Sequence, residues 1–153
     1  MIKIAHESPK EVFEEVQKLT DYDYALVQLF EEDEAYLNQF KRARDKGREI
    51  ILDNSIFELE EAFDAAKFDK WVKDFRPSWY IVPDALEDAT KTCDQMEDWN
   101  NKGLGYEGSG KIGVVQGKTY DEIVDCYNYM NKSADVDMIA ISFDYSYYTQ
   151  SVP

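Results

Sequence analysis

Short apolar runs alternate along the chain with stretches in which apolar residues recur at helical spacing. The runs are near-continuous in aliphatic and aromatic residues, which is typical of parallel strands that are buried on both faces. Strands are predicted over residues 2–6, 24–30, 49–54, 78–84, 111–117 and 137–144. Strands that alternate with helices predict an α/β fold, in which helices cover a parallel sheet.

Helix start and stop signals lie between the predicted strands. Ser8 as N-cap and Pro9 at the first helical position begin a helix after the first strand, and Gly47 ends the next helix. A helical region from about residue 58 ends at residue 75, and another helix begins near Asp88. No linker or change of composition divides the chain, so we interpret residues 1–153 as one domain.

Two architectures fit this alternation. A complete (β/α)8 barrel of the TIM type needs about 250 residues, so about six parallel strands in 153 residues predict an incomplete TIM-like barrel, its N-terminal part. A doubly wound open parallel sheet is the alternative, and it would fit the length. The chain stops soon after its sixth predicted strand without a helix to cover it, which favours the incomplete barrel.

Charge and composition narrow the classes of function. The formal net charge of −15 repels phosphate backbones, so the chain by itself is not expected to bind nucleic acid nonspecifically. No apolar run approaches the roughly 18–20 residues that span a bilayer, and the start lacks a signal-peptide core, so a cytoplasmic protein without membrane contact is predicted. Cys93 and Cys126 form no CxxC motif, which predicts two reduced thiols within helices.

Polar residues occupy the carboxyl ends of the predicted strands, where both architectures bind their ligands. Any one of the acids alternatively caps the helix that follows it, and that reading remains open. One histidine cannot make a His-rich metal site, and neither a Walker loop nor a GxGxxG turn is present, so no metal and no cofactor are predicted. The strand-end residues are His6, Glu7, Asp53, Asn54, Asp84, Gln116, Gly117, Ser142 and Asp144.

Carboxylates beside an amide suit a guanine-like base. Guanine presents two adjacent donors, N1–H and the exocyclic amine, which one carboxylate accepts together, and its O6 needs a donor such as a glutamine amide. Asp84 and Gln116 lie at the ends of neighbouring predicted strands and provide this pair. The sequence therefore predicts a site that suits a guanine-like base.

Four segments carry a family resemblance: LDNSIFE, then YIVPD with DATKT behind it, then IGVVQGKTYDEIVDCY, then IAISFD. Together they resemble the tRNA-guanine transglycosylase family, the queuine and archaeosine tRNA-ribosyltransferases, and are most similar to its short phage and DNA-modification relatives. The resemblance runs from about residue 49 to residue 144. It implies a (β/α)8 barrel that exchanges guanine for a deazaguanine through a covalent aspartyl–ribosyl intermediate, as in queuosine formation.

The resemblance assigns roles residue by residue. It implies that Asp53 is the catalytic acid that assists at the ribose and base, and that Asp84 reads the donor edge of the purine. Gln116 and Gly117 match the VQG element of the family, whose amide faces O6. Asn54 and Ser142 complete the expected substrate-binding set, Ser142 in the IAIS segment where the family supplies a backbone N–H.

The chain also departs from the family. Many relatives have glycine after the strand-end acid, where this chain has Asn54-Ser55-Ile56, and the zinc-binding cluster of the tRNA enzymes is absent. Asp144 is the only late strand-end acid, and its context does not match the nucleophile. We therefore expect a base-exchange domain without its nucleophile, a fragment or a reduced form that is inactive alone and meets tRNA or DNA only in a complete enzyme. A non-catalytic purine-binding or partner-subunit module of the same fold is the alternative.

An incomplete barrel leaves unpaired edges at its first and last strands, and proteins usually cover such edges. We therefore predict that the chain forms a homo-oligomer. Light scattering over a range of concentrations measures its mass in solution, and a monomer at high concentration would contradict this prediction.

Overall fold

The fold, described by a computed structural model for residues 1–142, is a parallel sheet with helices between its strands. Neighbouring strands pair in parallel in the order β1-β2-β3-β4-β5. The predicted α/β class with a parallel sheet is confirmed, and the described sheet is open. The strands are β1 (Asp23–Leu26), β2 (Ile50–Asp53), β3 (Trp79–Ile81), β4 (Gly110–Val115) and β5 (Met138–Ile141).

Seven α-helices lie between these strands or before the first of them. The longer ones begin where an Asp or Thr side chain accepts backbone N–H groups of the first turn, and Thr119 and Glu122 form a reciprocal capping box. None of the helices in the described part of the chain is long and apolar enough to cross a membrane. The helices are α1 (Phe13–Gln17, after a 3₁₀ turn at Lys10–Val12), α2 (Val27–Glu32), α3 (Glu34–Asp45), α4 (Ile56–Leu59), α5 (Ala65–Phe75), α6 (Ala89–Asn101) and α7 (Tyr120–Lys132).

The first predicted strand is wrong. Residues 2–6 form no strand. The N–H of Ile4 instead donates to the Asp21 carboxylate, and the Ile4 carbonyl accepts the backbone N–H of Asp21, both at 2.7 Å. Ile2 is 89% exposed, so the apolar pattern of this segment does not reflect burial in the sheet.

The second predicted strand is too long. Strand β1 ends at Leu26, and the apolar run continues as α2, where Val27 and Phe30 point into the core at helical spacing. A short apolar run does not by itself distinguish a buried strand from a buried helix. The sixth predicted strand is observed as β5, and Asp144 lies outside the described residues. The described chain thus has five strands where six were predicted.

The strand order explains why the helices given above cover one face of the sheet and leave the other, the bare face, without them. The order follows the sequence, without the reversal that defines a doubly wound sheet. Right-handed crossovers between successive neighbours place the helices on one face. Alternate residues of the strands, among them Leu52, Tyr80 and Val115, pack there in the hydrophobic core. The residues between them, such as Ile51, Trp79 and Val114, point to the opposite face.

The core on the helix side is rich in aromatic rings. Phe68 of α5 packs against Tyr80 of β3 and Trp99 of α6, with ring centroids 6.3 and 5.9 Å away. All three side chains are almost completely buried. The indole N–H of Trp99 donates to the Tyr80 hydroxyl at 3.4 Å, so the polar atoms of the two rings lie against each other.

Trp79 closes the amino end of the bare face. Its ring lies so close to Gly110 that a Cβ on this glycine would be 2.1 Å from the ring, and its indole N–H donates to Glu49 at 2.9 Å. Glu49 also pairs with Lys3. The bare face is therefore filled at one end and accessible at the carboxyl ends of the strands.

Replacing Phe68 by alanine is predicted to destabilise the fold by about 3–5 kcal/mol, because it empties a fully buried ring position. Phe57→Ala is the matched control, since this ring is 66% exposed and its loss is expected to change the free energy of unfolding by about 0.5 kcal/mol or less. Urea denaturation followed by circular dichroism measures both. Equal losses in the two variants would contradict the core described here.

Candidate functional site

An open cavity of about 810 Å³ lies against the bare face at the carboxyl ends of the strands. Its walls include residues of every strand in the described sheet and of the loops that follow several of these strands. The sheet brings together five of the predicted site residues here: Asp53, Asn54, Asp84, Gln116 and Ser142. The full lining is Tyr24, Asp53, Asn54, Ile56, Phe57, Ile81, Asp84, Leu86, Glu87, Val114, Gln116, Ala140, Ile141 and Ser142.

Asp84 is a buried carboxylate that two amides hold in place. Asn54 Nδ2 donates to its Oδ1 and Gln116 Nε2 donates to its Oδ2, each at 2.7 Å, and Asp84 is only 2% exposed. Burial raises the pKa of Asp84 above its ordinary value, whereas the hydrogen bonds from the Gln116 and Asn54 amides lower it. A carboxylate has about four acceptor positions, and the backbone N–H of Asp84 itself also bonds to the group, so some acceptor capacity remains beside the two amides.

The two amides are themselves fixed by the backbone. Asn54 also donates to the carbonyl of Val82 at 3.0 Å, and its Oδ1 accepts the N–H of Ile56 at 3.0 Å. Gln116 Oε1 accepts the N–H of Glu87 at 3.0 Å. Asn54 is 1% exposed, so in this structure it acts as a positioning residue for Asp84. That Gln116 also faces O6 of a base stays a prediction.

Asp53 lies at the end of β2, and each of its carboxylate oxygens accepts a hydrogen bond. The hydroxyl of Tyr24 donates to Oδ2, and the backbone N–H of Ser55 donates to Oδ1 at 2.5 Å. Burial raises the pKa of Asp53 to about 6, although both hydrogen bonds lower it; the charges of Glu58 and Asp84 raise it further. A carboxyl group with such a pKa exchanges protons near neutral pH, as a general acid or base must.

Tyr24 keeps its own proton. Burial, followed by the negative charge of Asp53, raises the pKa of Tyr24 far above the ordinary value. Its hydroxyl therefore stays protonated and serves as a lasting donor to Asp53. The sequence prediction missed Tyr24 because a tyrosine within an apolar strand is usually a packing residue. Leu26 of β1 pairs with Asp53 in the sheet, so the strand register places Tyr24 near Asp53. This register is the signal that could have identified Tyr24.

The turn after Asp53 adopts a glycine-like conformation without a glycine. Ser55 has φ +62°, in the left-handed region, and its side chain is fully buried. Its Oγ accepts the backbone N–H of Gln28 at 3.3 Å, which connects the first turn of α2, just after β1, with the turn after β2. Asn54-Ser55-Ile56 thus forms a turn that directs the Asn54 side chain toward Asp84.

The remaining predicted residues have different surroundings. Ser142 lines the cavity beside β5, whereas Gly117 does not: a Cβ on Gly117 would lie 2.9 Å from the backbone N of Ile123, so this glycine permits close packing on α7. His6 is exposed outside the cavity. Phe57, which is 66% exposed, adds an aromatic ring to the wall and was not among the predicted site residues.

The cavity is acidic. Its charged lining residues within residues 1–142 are Asp53, Asp84 and Glu87, and no Lys, Arg or His of this part of the chain lines it. The same residues contain no cluster of three or more His, Cys, Asp or Glu arranged to hold a metal ion. Such a lining favours ligands that present hydrogen-bond donors and disfavours phosphate groups.

The pKa of Asp53 predicts how the stability depends on pH. Because its pKa is raised on folding from 3.8 to about 6, the stabilisation by its protonated form is fully present below pH 4 and is lost as the pH rises through about 6. Asp53→Asn is therefore expected to be about 3 kcal/mol more stable than the wild type at pH 7.5, since a shift from 3.8 to about 6 corresponds to about 1.4 kcal/mol for each pKa unit, and nearly equal to it in stability at pH 4.

Urea denaturation at a series of pH values measures this difference in the free energy of unfolding. Glu61→Gln is the control, since it removes one negative charge at an exposed position. A difference between Asp53→Asn and wild type that stays constant from pH 4 to pH 7.5 would contradict the raised pKa.

Comparisons with known proteins assign no family to this chain. No protein-family model matches it, and no curated protein matches its sequence. The function must therefore be inferred from the side chains that line the cavity.

Proposed function

We propose that this chain binds guanine or a 7-deazaguanine base in the cavity at the strand ends. The observation that carries the proposal is Asp84, a buried carboxylate with both oxygens fixed by amides on a cavity wall. A buried carboxylate needs donors to stay ionised, and guanine brings two adjacent donors of matching spacing.

The hydrogen bonds to the base are charge-assisted. N1–H of guanine lies opposite one oxygen of Asp84 and the exocyclic amine opposite the other, and bonds of this kind are shorter and stronger than neutral ones. Asn54 and Gln116 hold the carboxylate in one orientation before the ligand arrives, which lowers the entropy cost of binding. Adenine presents an acceptor at N1, so it would leave Asp84 facing a lone pair.

Apolar side chains suit the faces of the same base. Ile81, Leu86 and Val114 line the cavity together with the exposed ring of Phe57. Stacking on an aromatic ring contributes about 1–3 kcal/mol per base. Phe57 is therefore the residue that we assign to stacking, whereas Asp84 selects the edge of the base.

The arrangement of strands supports a barrel of the TIM type. The described sheet has five successive parallel strands in sequence order, and its cavity lies at their carboxyl ends. TIM barrels carry their active sites at this end, on residues from several strands. We propose that the sheet is part of such a barrel, in keeping with the resemblance to tRNA-guanine transglycosylases.

Base exchange is the reaction that this site would serve. A departing guanine takes up a proton and an entering base gives one up, and Asp53, with a pKa of about 6, suits both steps. The exchange also needs a carboxylate that attacks the anomeric carbon of the ribose. Asp53, Asp84 and Glu87 are the carboxylates that the described residues bring to the cavity, and we assign none of them that role. The nucleic acid, tRNA or DNA, would meet this chain in an assembly that supplies the nucleophile.

A non-catalytic base-binding module is the second candidate. The acidic lining favours it, because none of the residues 1–142 that line the cavity has a positively charged side chain that could bind a ribose phosphate. The chain also carries a net charge of −15. A free base has no phosphate and avoids this repulsion.

Calorimetry with free bases tests the proposed function. Guanine and 7-deazaguanine are expected to bind alike, because N7 is not read, and adenine at least about 100-fold more weakly, because a buried polar group would lack its partner. Asp84→Asn should lose guanine binding, and Phe57→Ala should weaken it about tenfold while the fold stays stable. Asp94→Asn, an exposed acid on α6, is the control and should bind like wild type.

Equal binding of adenine and guanine, or undiminished binding by Asp84→Asn, would overturn the proposal. Incubation with tRNA and labelled guanine tests whether the nucleophile comes from outside this chain. Both candidates predict binding without incorporation by the chain alone, and incorporation of the label would show that one of its own residues attacks the ribose.

A further inference from the structure

Two cysteines that are far apart in the sequence lie side by side in the fold. The thiol of Cys93 on α6 donates to the sulfur of Cys126 on α7, with 3.8 Å between the two Sγ atoms. Both are free thiols. The sequence predicted two separate reduced cysteines, since their spacing matches no redox or metal motif, and it missed this contact.

The two thiols differ in their access to solvent. Cys126 is 1% exposed, whereas Cys93 is partly exposed on the surface between the helices. A small oxidant in solution can therefore reach Cys93 first. Cys126 is then within reach of Cys93 but not of the oxidant, which is the arrangement of an attacking and a resolving cysteine.

Cys126 also contacts the strand end that carries the cavity. Its Sγ accepts the backbone N–H of Gln116 at 3.5 Å, and its thiol lies 3.9 Å from the carbonyl oxygen of Val114. The side chain of the same Gln116 holds Asp84. One residue thus connects the sulfur pair with the carboxylate of the site.

We propose that Cys93 and Cys126 form a redox-active dithiol that a low-molecular-weight disulfide, such as oxidised glutathione, converts into an intramolecular disulfide. The Cys93 thiolate attacks one sulfur of the oxidant, forms a mixed disulfide and releases one glutathione thiolate. The Cys126 thiolate then attacks the Cys93 sulfur and releases the second. The two cysteines lose two protons and two electrons, and one oxidised glutathione becomes two reduced molecules.

Oxidation changes the surroundings of Gln116. The sulfurs must approach from 3.8 Å to about 2.05 Å, and Cys126 draws away from the Gln116 N–H as it turns toward Cys93. We infer that the disulfide displaces Gln116 and weakens its hold on Asp84. The effect on base binding rests on the proposed function, whereas the disulfide itself does not.

The environment of Cys93 makes the reaction slow at neutral pH. Burial, followed by the neighbouring Cys126, raises the pKa of Cys93 to about 12. The thiolate is the attacking species, so its scarcity limits the rate. The rate rises about tenfold per pH unit between pH 7 and pH 9, because the thiolate fraction does so well below the pKa.

Mass spectrometry of the whole chain in a glutathione buffer at pH 8.5 tests the disulfide. Wild type should lose about two mass units, for two hydrogens, and retain no glutathione. Cys126→Ser should accumulate a glutathione adduct on Cys93, and Cys93→Ser should form neither product. A lasting adduct on wild-type Cys93, or oxidation of Cys126 in Cys93→Ser, would overturn the proposal.

The amide NMR signal of Gln116 tests the connection to the cavity without any ligand. It should shift on oxidation of wild type but not when Cys126→Ser is treated alike, and the amide of Leu52, on β2, should stay in place. A disulfide with an unchanged Gln116 signal would refute the connection. If the reduced chain binds no guanine, the proposed function fails while the mass and NMR results still decide on the dithiol.

Discussion

The candidate site depends on one interaction, the pair of amides that holds the Asp84 carboxylate. Burying a charged carboxylate is costly unless donors satisfy it. Asn54 and Gln116 come from the ends of the two strands that flank β3, so they reach Asp84 only when β2, β3 and β4 are paired in register. The sheet and the site therefore form together, and an error in register would leave a buried charge without its partners.

The sequence predicted the parts of this arrangement that follow from strand ends. Asp53, Asp84 and Gln116 come directly after apolar runs, and parallel strands align their carboxyl ends at one edge, so their convergence could be predicted. It could not predict that the amides would face Asp84, because side-chain direction in a strand-end turn depends on backbone angles such as the positive φ of Ser55. Tyr24 and Phe57 were missed because an aromatic residue in an apolar segment usually packs in the core.

The fold could be predicted in class but not in each element. Residues 2–6 match a strand in pattern, yet a local pattern does not say whether the sheet has a place for them. Val27 to Phe30 fit a strand as well as a helix, and packing in the core decides for the helix. The pairing of Cys93 with Cys126 depends on how α6 lies against α7, which a sequence spacing does not contain.

The ring of Trp79 over Gly110 determines from which side of the sheet a ligand could enter the cavity. It fills the amino end of the bare face, so a ligand bound at Asp84 as proposed would enter and leave at the carboxyl ends of the strands. Asp84 can bind one base at a time, so under the proposed function one base would leave before the next one binds. In the interval between them, Asn54 and Gln116 would hold the Asp84 carboxylate in its orientation.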